Sequence, residues 1–111
     1  MVLVGNEEDG YKKLYRMLYD RPVNFHGLNN LIWVFNANEV KDGVDPYEEY
    51  YPGDDVVDIL ATDAYTEKFN RMNYEQLLQL AKDKPVALGE VGAVPLIDTL
   101  RNQPRWTWFM S

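Results

Sequence analysis

The sequence contains no cysteine and only one histidine among its 111 residues. The absence of cysteine excludes a disulfide scaffold, a thiolate zinc site and a cysteine nucleophile. The single histidine excludes a His-rich metal site and disfavours a Ser-His-Asp triad. It falls at the predicted end of a helix, as His26 before Gly27, where we assign it no catalytic role. Chemistry carried by this chain would therefore rest on carboxylates, and we expect no metal and no cofactor.

Basic residues are also scarce, since 11 Lys and Arg stand against 18 Asp and Glu, which gives a net charge of −7. Nucleic-acid affinity comes largely from basic side chains that displace counterions, so we expect no nucleic-acid partner. No apolar run approaches the roughly 18 residues of a membrane span, and the N-terminus lacks the basic start of a signal peptide. We expect a single soluble unit without membrane contact or targeting signal.

Helical and strand patterns alternate along the chain, which is typical of an α/β protein with a parallel sheet. Apolar stripes predict helices over 9–24 and 73–83. Asn6 or Asp9 is the predicted N-cap of the first helix, and Asn73 that of the second.

Four apolar segments predict strands, and the first of them is expected to be covered on both faces. They span 31–36, 56–64, 85–90 and 106–110. The segment 39–55, which includes the turn residues Asp45 and Pro46, is predicted to be an acidic and aromatic loop with at most one helical turn. A short amphipathic segment from Leu96 to Leu100 precedes the last strand.

Polar residues stand where the predicted strands end, which is where a (β/α)₈ barrel or an open α/β sheet places its site. They are Asn36, Asn38, Asp63, Tyr65, Glu90 and Ser111.

Glu90 is the most informative of them, because it lies alone in the uncharged run 85–95, close to Gly89 and Gly92. A carboxylate in such a strand is costly unless it is paired or used, and the two glycines indicate close approach of another backbone or a ligand. The phenol of Tyr65, on the preceding strand, could hydrogen-bond this carboxylate and orient it. The alternative interpretation is a strand-end cap or an ion pair with an arginine.

Asp63 also has two interpretations: it is either a functional carboxylate or an Asx cap at the strand end. The flat faces of Trp33, Trp106 and Trp108 could stack on sugar rings, although aromatic residues in strands more often belong to the core. Tyr50 and Tyr51 lie in the predicted loop and are better candidates for an exposed aromatic rim.

Four segments closely resemble the C-terminal half of glycoside hydrolase family 26, in order and at consistent spacing. They are 11–20 (YKKLYRMLYD), 27–36 (GLNNLIWVFN), 51–65 (YPGDDVVDI running to DAY) and 84–92 (KPVALGEVG). The resemblance implies strands five to eight of a (β/α)₈ TIM barrel over residues 1–111, and a retaining endo-β-1,4-mannanase as the parent activity. It implies that Glu90 is the nucleophile and that Tyr65 supports it. We name as candidate substrate contacts Asn36, Asp63, Tyr51 and Trp108.

The family's acid/base glutamate lies in a His-Glu segment that this chain does not contain, and a whole barrel needs about 250 residues. The resemblance therefore implies a portion of a longer enzyme, inactive alone, whose parent is secreted or at the cell surface. Related barrels leave a mixed-linkage glucan or a β-1,3-xylan open as substrate. The chain could instead be a non-catalytic glycan-binding half-barrel, or it could self-associate through its open strand edges.

Overall fold

The computed structural model describes residues 7–41, 46–65 and 69–111. The helices are α1 (Glu7–Asp20), α2 (Tyr47–Tyr50), α3 (Arg71–Ala81) and α4 (Ile97–Asn102), with a π-helical turn at Arg21–Phe25 and a 3₁₀ turn at Asp54–Val56. The strands are β1 (Val34–Asn38), β2 (Ile59–Ala64), β3 (Val86–Val91) and β4 (Trp106–Phe109). The predictions for Asn6 and Asp45 lie outside the described residues.

The four strands form one parallel sheet in the order β1-β2-β3-β4. Both the strand count and the parallel order predicted from the sequence are confirmed. Since β1 and β4 are the outer strands, each carries one edge without a neighbour among the described residues.

The core lies on one face of this sheet. Phe35, Leu60 and Val86 are register partners across three strands, and each is fully buried. Tyrosines of α1 and two residues of α3, Leu77 and Ala81, pack on the same cluster. Full burial of an apolar side chain of this size stabilises the fold by about 1.5–3 kcal/mol. We call this the covered face.

The first helix changes its geometry before it ends. From Arg21 to Phe25 the backbone is π-helical, and Pro22 lies in the first turn of that segment. Proline has no N–H to donate and its ring clashes with the carbonyl four residues earlier, so the α-helical pattern cannot continue unchanged. The N–H of His26 donates to the Arg21 carbonyl at 3.1 Å, which confirms the predicted helix end.

The first strand begins at Val34, three residues later than predicted, and it is not covered on both faces. Leu31 and Ile32 are 43% and 70% exposed. The Trp33 carbonyl accepts N–H groups at the start of the β2 segment, and its own N–H donates to the Asp58 carboxylate at 2.8 Å. Within the described residues, β1 pairs with one strand only, and the helices pack against one face of the sheet. The predicted apolar run is therefore longer than the part of it that pairs with β2 and is buried.

The N-cap of α3 is Asn70 and not Asn73. The Asn70 side chain accepts the Met72 N–H at 2.8 Å, and the helix begins at Arg71. Asn73 is buried inside the helix, where its side-chain oxygen, Oδ1, accepts the Val40 N–H at 3.0 Å. Asparagine is a favoured N-cap residue, so either position could begin the helix. Because the Asn73 side chain bonds Val40, Asn70 takes the N-cap position.

Candidate active site

Four polar residues from three strand ends meet on the face of the sheet opposite the core, which we call the open face. The Asn36 side-chain amide donates to Asp63 Oδ1 at 2.9 Å. Asp63 is in turn the register partner of Glu90 on β3. The phenol of Tyr65, directly after β2, lies beside the Glu90 carboxylate, whose hydrogen bonding and charge raise the pKa of the phenol. Tyr65 and Glu90 therefore lie on the same face of the sheet, as the sequence predicts.

A β-bulge decides the direction of the Glu90 side chain. Thr62 pairs with Leu88, but the next residue, Asp63, pairs with Glu90, so Gly89 is an extra residue on β3. Strict alternation from the buried Leu88 would turn Glu90 toward the covered face. The extra residue turns it instead with Asp63 toward the open face. Bulges of this kind re-aim side chains next to active sites.

Gly89 and Gly92 leave space that the site uses. A Cβ at Gly89 would lie 1.9 Å from Asn36 Oδ1 and 3.3 Å from Asp63 Oδ1. A Cβ at Gly92 would lie 3.2 Å from the Tyr65 ring and from its carbonyl oxygen. The close approach of another backbone predicted at these glycines is found at Gly92, next to the Tyr65 backbone, whereas the neighbours of Gly89 are the Asn36 and Asp63 side chains.

The charge distribution keeps Tyr65 protonated. Its pKa is raised above the ordinary value of 10.0, first by the hydrogen bond to Glu90, then by desolvation and by the negative charges of Glu90 and Asp63. At neutral pH the phenol is therefore a donor that fixes one oxygen of an exposed carboxylate.

Glu39 is a site residue that the sequence pattern placed in the acidic loop and did not single out. It is only 6% exposed. Its Oε1 accepts the Tyr65 N–H at 3.2 Å, and its own N–H donates to the Asp63 carbonyl at 3.0 Å. The signal that could have found it is its position, one residue beyond the polar tip of β1.

Two cavities adjoin these residues, and Asn38 and Asp63 line both. One has a volume of about 280 Å³ and is also lined by Tyr11, Tyr47 and Tyr50. The other, of about 190 Å³, is also lined by Glu39, Lys41 and Tyr65. Aromatic faces next to amides and carboxylates are a suitable lining for a polyhydroxylated ligand.

The expected exposed rim of Tyr50 and Tyr51 is wrong, because both side chains are half-buried. The Tyr51 ring packs edge-on against Phe35 with centroids 5.4 Å apart, and its hydroxyl donates to Asp54 at 2.8 Å. Tyr51 lines neither of the two cavities. Tyr50 lines the larger one and packs edge-on against Tyr11.

Of the three tryptophans, two pack against helices and one is partly exposed. Trp33 packs on Tyr19 of α1 with ring centroids 5.0 Å apart, and Trp106 on Tyr74 of α3 at 5.2 Å. Both belong to the packing between sheet and helices, as expected for aromatic residues in strands. Trp108 lies on β4, next to the Glu90 strand, and is 37% exposed.

No group of three or more metal-ligating side chains occurs within residues 7–41, 46–65 and 69–111. In the same ranges, no helix is long and apolar enough to cross a membrane. Asp54 and Asp55 are exposed but paired, to Lys82 at 2.9 Å and to Arg16 at 2.8 Å.

Four parallel strands in sequential order, with polar residues at their carboxyl ends, form the arrangement expected of part of a (β/α)₈ barrel. The chain belongs to glycosyl hydrolase family 26, whose family model matches residues 4–111.

Two curated relatives carry the same description. A mannan endo-1,4-beta-mannosidase from Thermothelomyces thermophilus is 49% identical over 105 residues, which cover 91% of this chain and 20% of that protein. A mannan endo-1,4-beta-mannosidase from Bacillus subtilis is 31% identical over 112 residues, covering 91% of this chain and 30% of the relative. The chain therefore spans less than a third of the length of these two relatives.

A solved structure of a family 26 protein from a Muricauda species superposes with a TM-score of 0.86 at 54% identity. The match covers 92% of this chain and 35% of the solved one. The described fold therefore corresponds to about a third of the length of that solved chain.

Proposed function

We propose that this chain is the C-terminal portion of the catalytic domain of a retaining endo-β-1,4-mannanase, with Glu90 as its nucleophile. One observation carries the proposal. In a family 26 chain, a bulge turns the Glu90 carboxylate to the open face, where the Tyr65 phenol holds it. The names of the relatives support mannan as the polymer.

In this mechanism one oxygen of Glu90 attacks the anomeric carbon while a second carboxylic acid, about 5–5.5 Å away, protonates the leaving oxygen. The resulting glycosyl ester is then hydrolysed by water, which the second carboxylate deprotonates. Tyr65 fixes the attacking group without neutralising it. We propose that the acid/base residue is not in this chain. Near Glu90, Asp63 accepts from Asn36 and Glu39 accepts from the Tyr65 backbone.

We further propose Asn36, Asp63 and Trp108 as contacts of the sugar next to Glu90. The first two lie on the open face beside Glu90, and Trp108 presents a partly exposed ring on the adjacent strand. Tyr51 leaves this set because it packs against Phe35.

The experiment joins this chain to the upstream segment of the Thermothelomyces relative and assays the product on mannan, lichenan and β-1,3-xylan. We expect hydrolysis of mannan with retention of anomeric configuration, whereas the chain alone lacks the acid/base group and turns over none. Glu90→Gln should lower kcat by roughly 10³-fold or more with the fold intact. Glu49→Gln, an exposed glutamate on α2, is the matched control and should retain parent activity.

Hydrolysis of lichenan or xylan but not mannan would make the chain part of a related β-glycanase. Mannan binding without turnover in the joined protein would favour a glycan-binding half-barrel. Activity of the Glu90→Gln protein near the parent rate would make Glu90 a strand-end cap.

We also propose that the isolated chain self-associates, with β4 of one copy placed against β1 of another. Unpaired strand edges promote such pairing, and both edges carry exposed apolar residues, among them Ile32, Phe109 and Met110. Sedimentation should show a concentration-dependent dimer that Ile32→Lys weakens. A monomer at every concentration would contradict this.

Finally, we propose that the parent protein is secreted or displayed at the cell surface, because a polysaccharide substrate would be too large to enter a cell. Fractionation of the source organism with an antibody against this chain tests the proposal, and a purely cytoplasmic signal would overturn it.

A further inference from the structure

The backbone pairing between β1 and β2 stops one step before Tyr65. The last register pair is Asn38 with Asp63, and the Glu39 N–H still donates to the Asp63 carbonyl. In a continued parallel ladder, the Tyr65 N–H would reach the main-chain carbonyl of Glu39, since each residue bonds both neighbours of its partner. Here the Glu39 side chain accepts that N–H instead, at 3.2 Å.

Glu39 makes this contact in a buried position, so the hydrogen bond is worth more than one at the surface. A carboxylate that is 6% exposed is costly unless hydrogen bonds compensate it, and a bond from a backbone N–H to an ionised oxygen is among the stronger kinds. On the opposite side, the Gly92 N–H donates to the Ala64 carbonyl at 3.0 Å, and the bare Gly92 backbone lies against the Tyr65 ring. Tyr65 is therefore held from β1 by Glu39 and from β3 by Gly92.

Tyr65 needs this support because little else fixes it. Its side chain is 60% exposed, so its packing against the core is slight. Holding one partner costs an exposed phenol both side-chain and backbone freedom, and a backbone that is already anchored on both sides has less freedom left to lose.

We propose that Glu39 is a positioning residue: by accepting the Tyr65 N–H, its side chain sets the place of the Tyr65 phenol and thereby the orientation of the Glu90 carboxylate. The proposal rests on the proposed nucleophilic role of Glu90. Glu39 does not touch the reacting atoms, and its effect passes through the Tyr65 backbone.

The test measures the titration of the Tyr65 phenol in the full chain by ¹³Cζ-tyrosine NMR, with Tyr65→Phe to assign the signal. Among the described residues, the charged groups near Tyr65 are Glu90 from β3, Asp63 from β2, and Glu39 and Lys41 after β1. We expect a parent pKa above 10.0 and a pKa that falls toward 10.0 in Glu39→Ala, because the contact with Glu90 loosens. Glu39→Gln should retain the raised pKa, because its amide oxygen still accepts the Tyr65 N–H.

The glutamine variant separates position from charge, since both variants remove the same negative charge. If alanine and glutamine lower the Tyr65 pKa equally, the effect is electrostatic and the positioning role is overturned. An unchanged pKa in a folded Glu39→Ala chain overturns it as well. If Glu39→Ala does not fold, Glu39→Asp carries the test, because its reach is one methylene shorter at unchanged charge. A Tyr65 pKa as high as the parent's in Glu39→Asp would then contradict the proposal.

Kinetics of the joined protein supply the second measurement. Glu39→Ala should lower kcat by roughly 10- to 100-fold with little change in KM, and Glu39→Gln should restore most of the loss. The two proposals fail separately. A joined protein that hydrolyses none of the three polymers overturns the proposed function while the titration still tests Glu39. An active protein with kcat unaffected by Glu39→Ala overturns the positioning role alone.

Discussion

The two faces of this sheet are built from alternate residues of the same strands, yet different forces determine them. On the covered face, Phe35, Leu60 and Val86 are fully buried by helices of the same chain. On the open face, Asn36, Asp63 and Glu90 are arranged by hydrogen bonds, a bulge and a glycine. The covered face thus supplies stability, and the open face holds the proposed site at little gain in burial.

A tyrosine on each face makes the contrast concrete. Tyr47 is buried at the covered face, where burial raises its pKa to about 12. Its hydroxyl donates to Thr62 at 2.7 Å, since the single Thr62 proton is donated to the Ala37 carbonyl at 3.0 Å. Tyr65 bonds a carboxylate while largely exposed. The same functional group is a structural donor on one face and an orienting donor on the other.

The largest expected effect on stability comes from emptying the covered face. Phe35→Ala removes a ring that is fully buried and packs edge-on against Tyr11 and Tyr51. We expect the free energy of unfolding to fall by about 3–5 kcal/mol, measured by urea denaturation. Val94→Ala, at a residue 61% exposed and outside the strand edges, is the control and should change it by less than about 0.5 kcal/mol. If both variants lost the same free energy of unfolding, the conclusion that the covered face supplies the stability would be wrong.

Gly89→Ala should be the most destabilising small change on the open face. Its Cβ would lie 1.9 Å from Asn36 Oδ1, so the Asn36 side chain has to move and give up its bond to Asp63. We expect a loss of about 1–3 kcal/mol. The double variant Gly89→Ala with Asn36→Ala should recover much of it, because the clashing atom is gone. Purely additive losses in thermal denaturation would contradict this explanation.

The two tyrosines give a smaller, matched comparison. Tyr47→Phe removes the donor to Thr62 in a buried place and should cost about 0.5–1.5 kcal/mol. Tyr65→Phe should leave the free energy of unfolding within about 0.5 kcal/mol, because water replaces the lost partner of Glu90. A larger loss for Tyr65→Phe in urea denaturation would show that the open face also stabilises the fold.

The smallest expected effect is on the stability of the fold at acidic pH. The Arg16 guanidinium lowers the pKa of Asp55, and Lys82 and Tyr51 lower that of Asp54, both below the ordinary value of 3.8. Groups with a depressed folded pKa stabilise above about pH 4, and this contribution is lost as the pH falls through the folded value. Asp55→Asn should therefore lose less stability than the parent between about pH 4 and pH 2.5 in urea denaturation. Parallel pH profiles would show that the Arg16 pair contributes nothing.

The sequence by itself determined the alternation of helices and strands and the parallel sheet. These follow from local periodicity and from the breaks at Pro22 and Pro85, which act over a few residues. The buried positions Tyr74, Leu77 and Ala81 of α3 are readable for the same reason. Glu90 was also readable, because a lone carboxylate in an apolar run is unusual whatever surrounds it.

The tertiary structure alone decided the direction in which Glu90 points, the cap of α3 and the role of Glu39. Each depends on a partner far along the chain: the β2 register for Glu90, Val40 for Asn73 and the Tyr65 backbone for Glu39. A bulge moves one residue in a ladder without changing the hydrophobic pattern, so no periodicity reports it. Local pattern fixes which residues are apolar enough to be buried, whereas the partners of polar groups are set only when distant strands come into register.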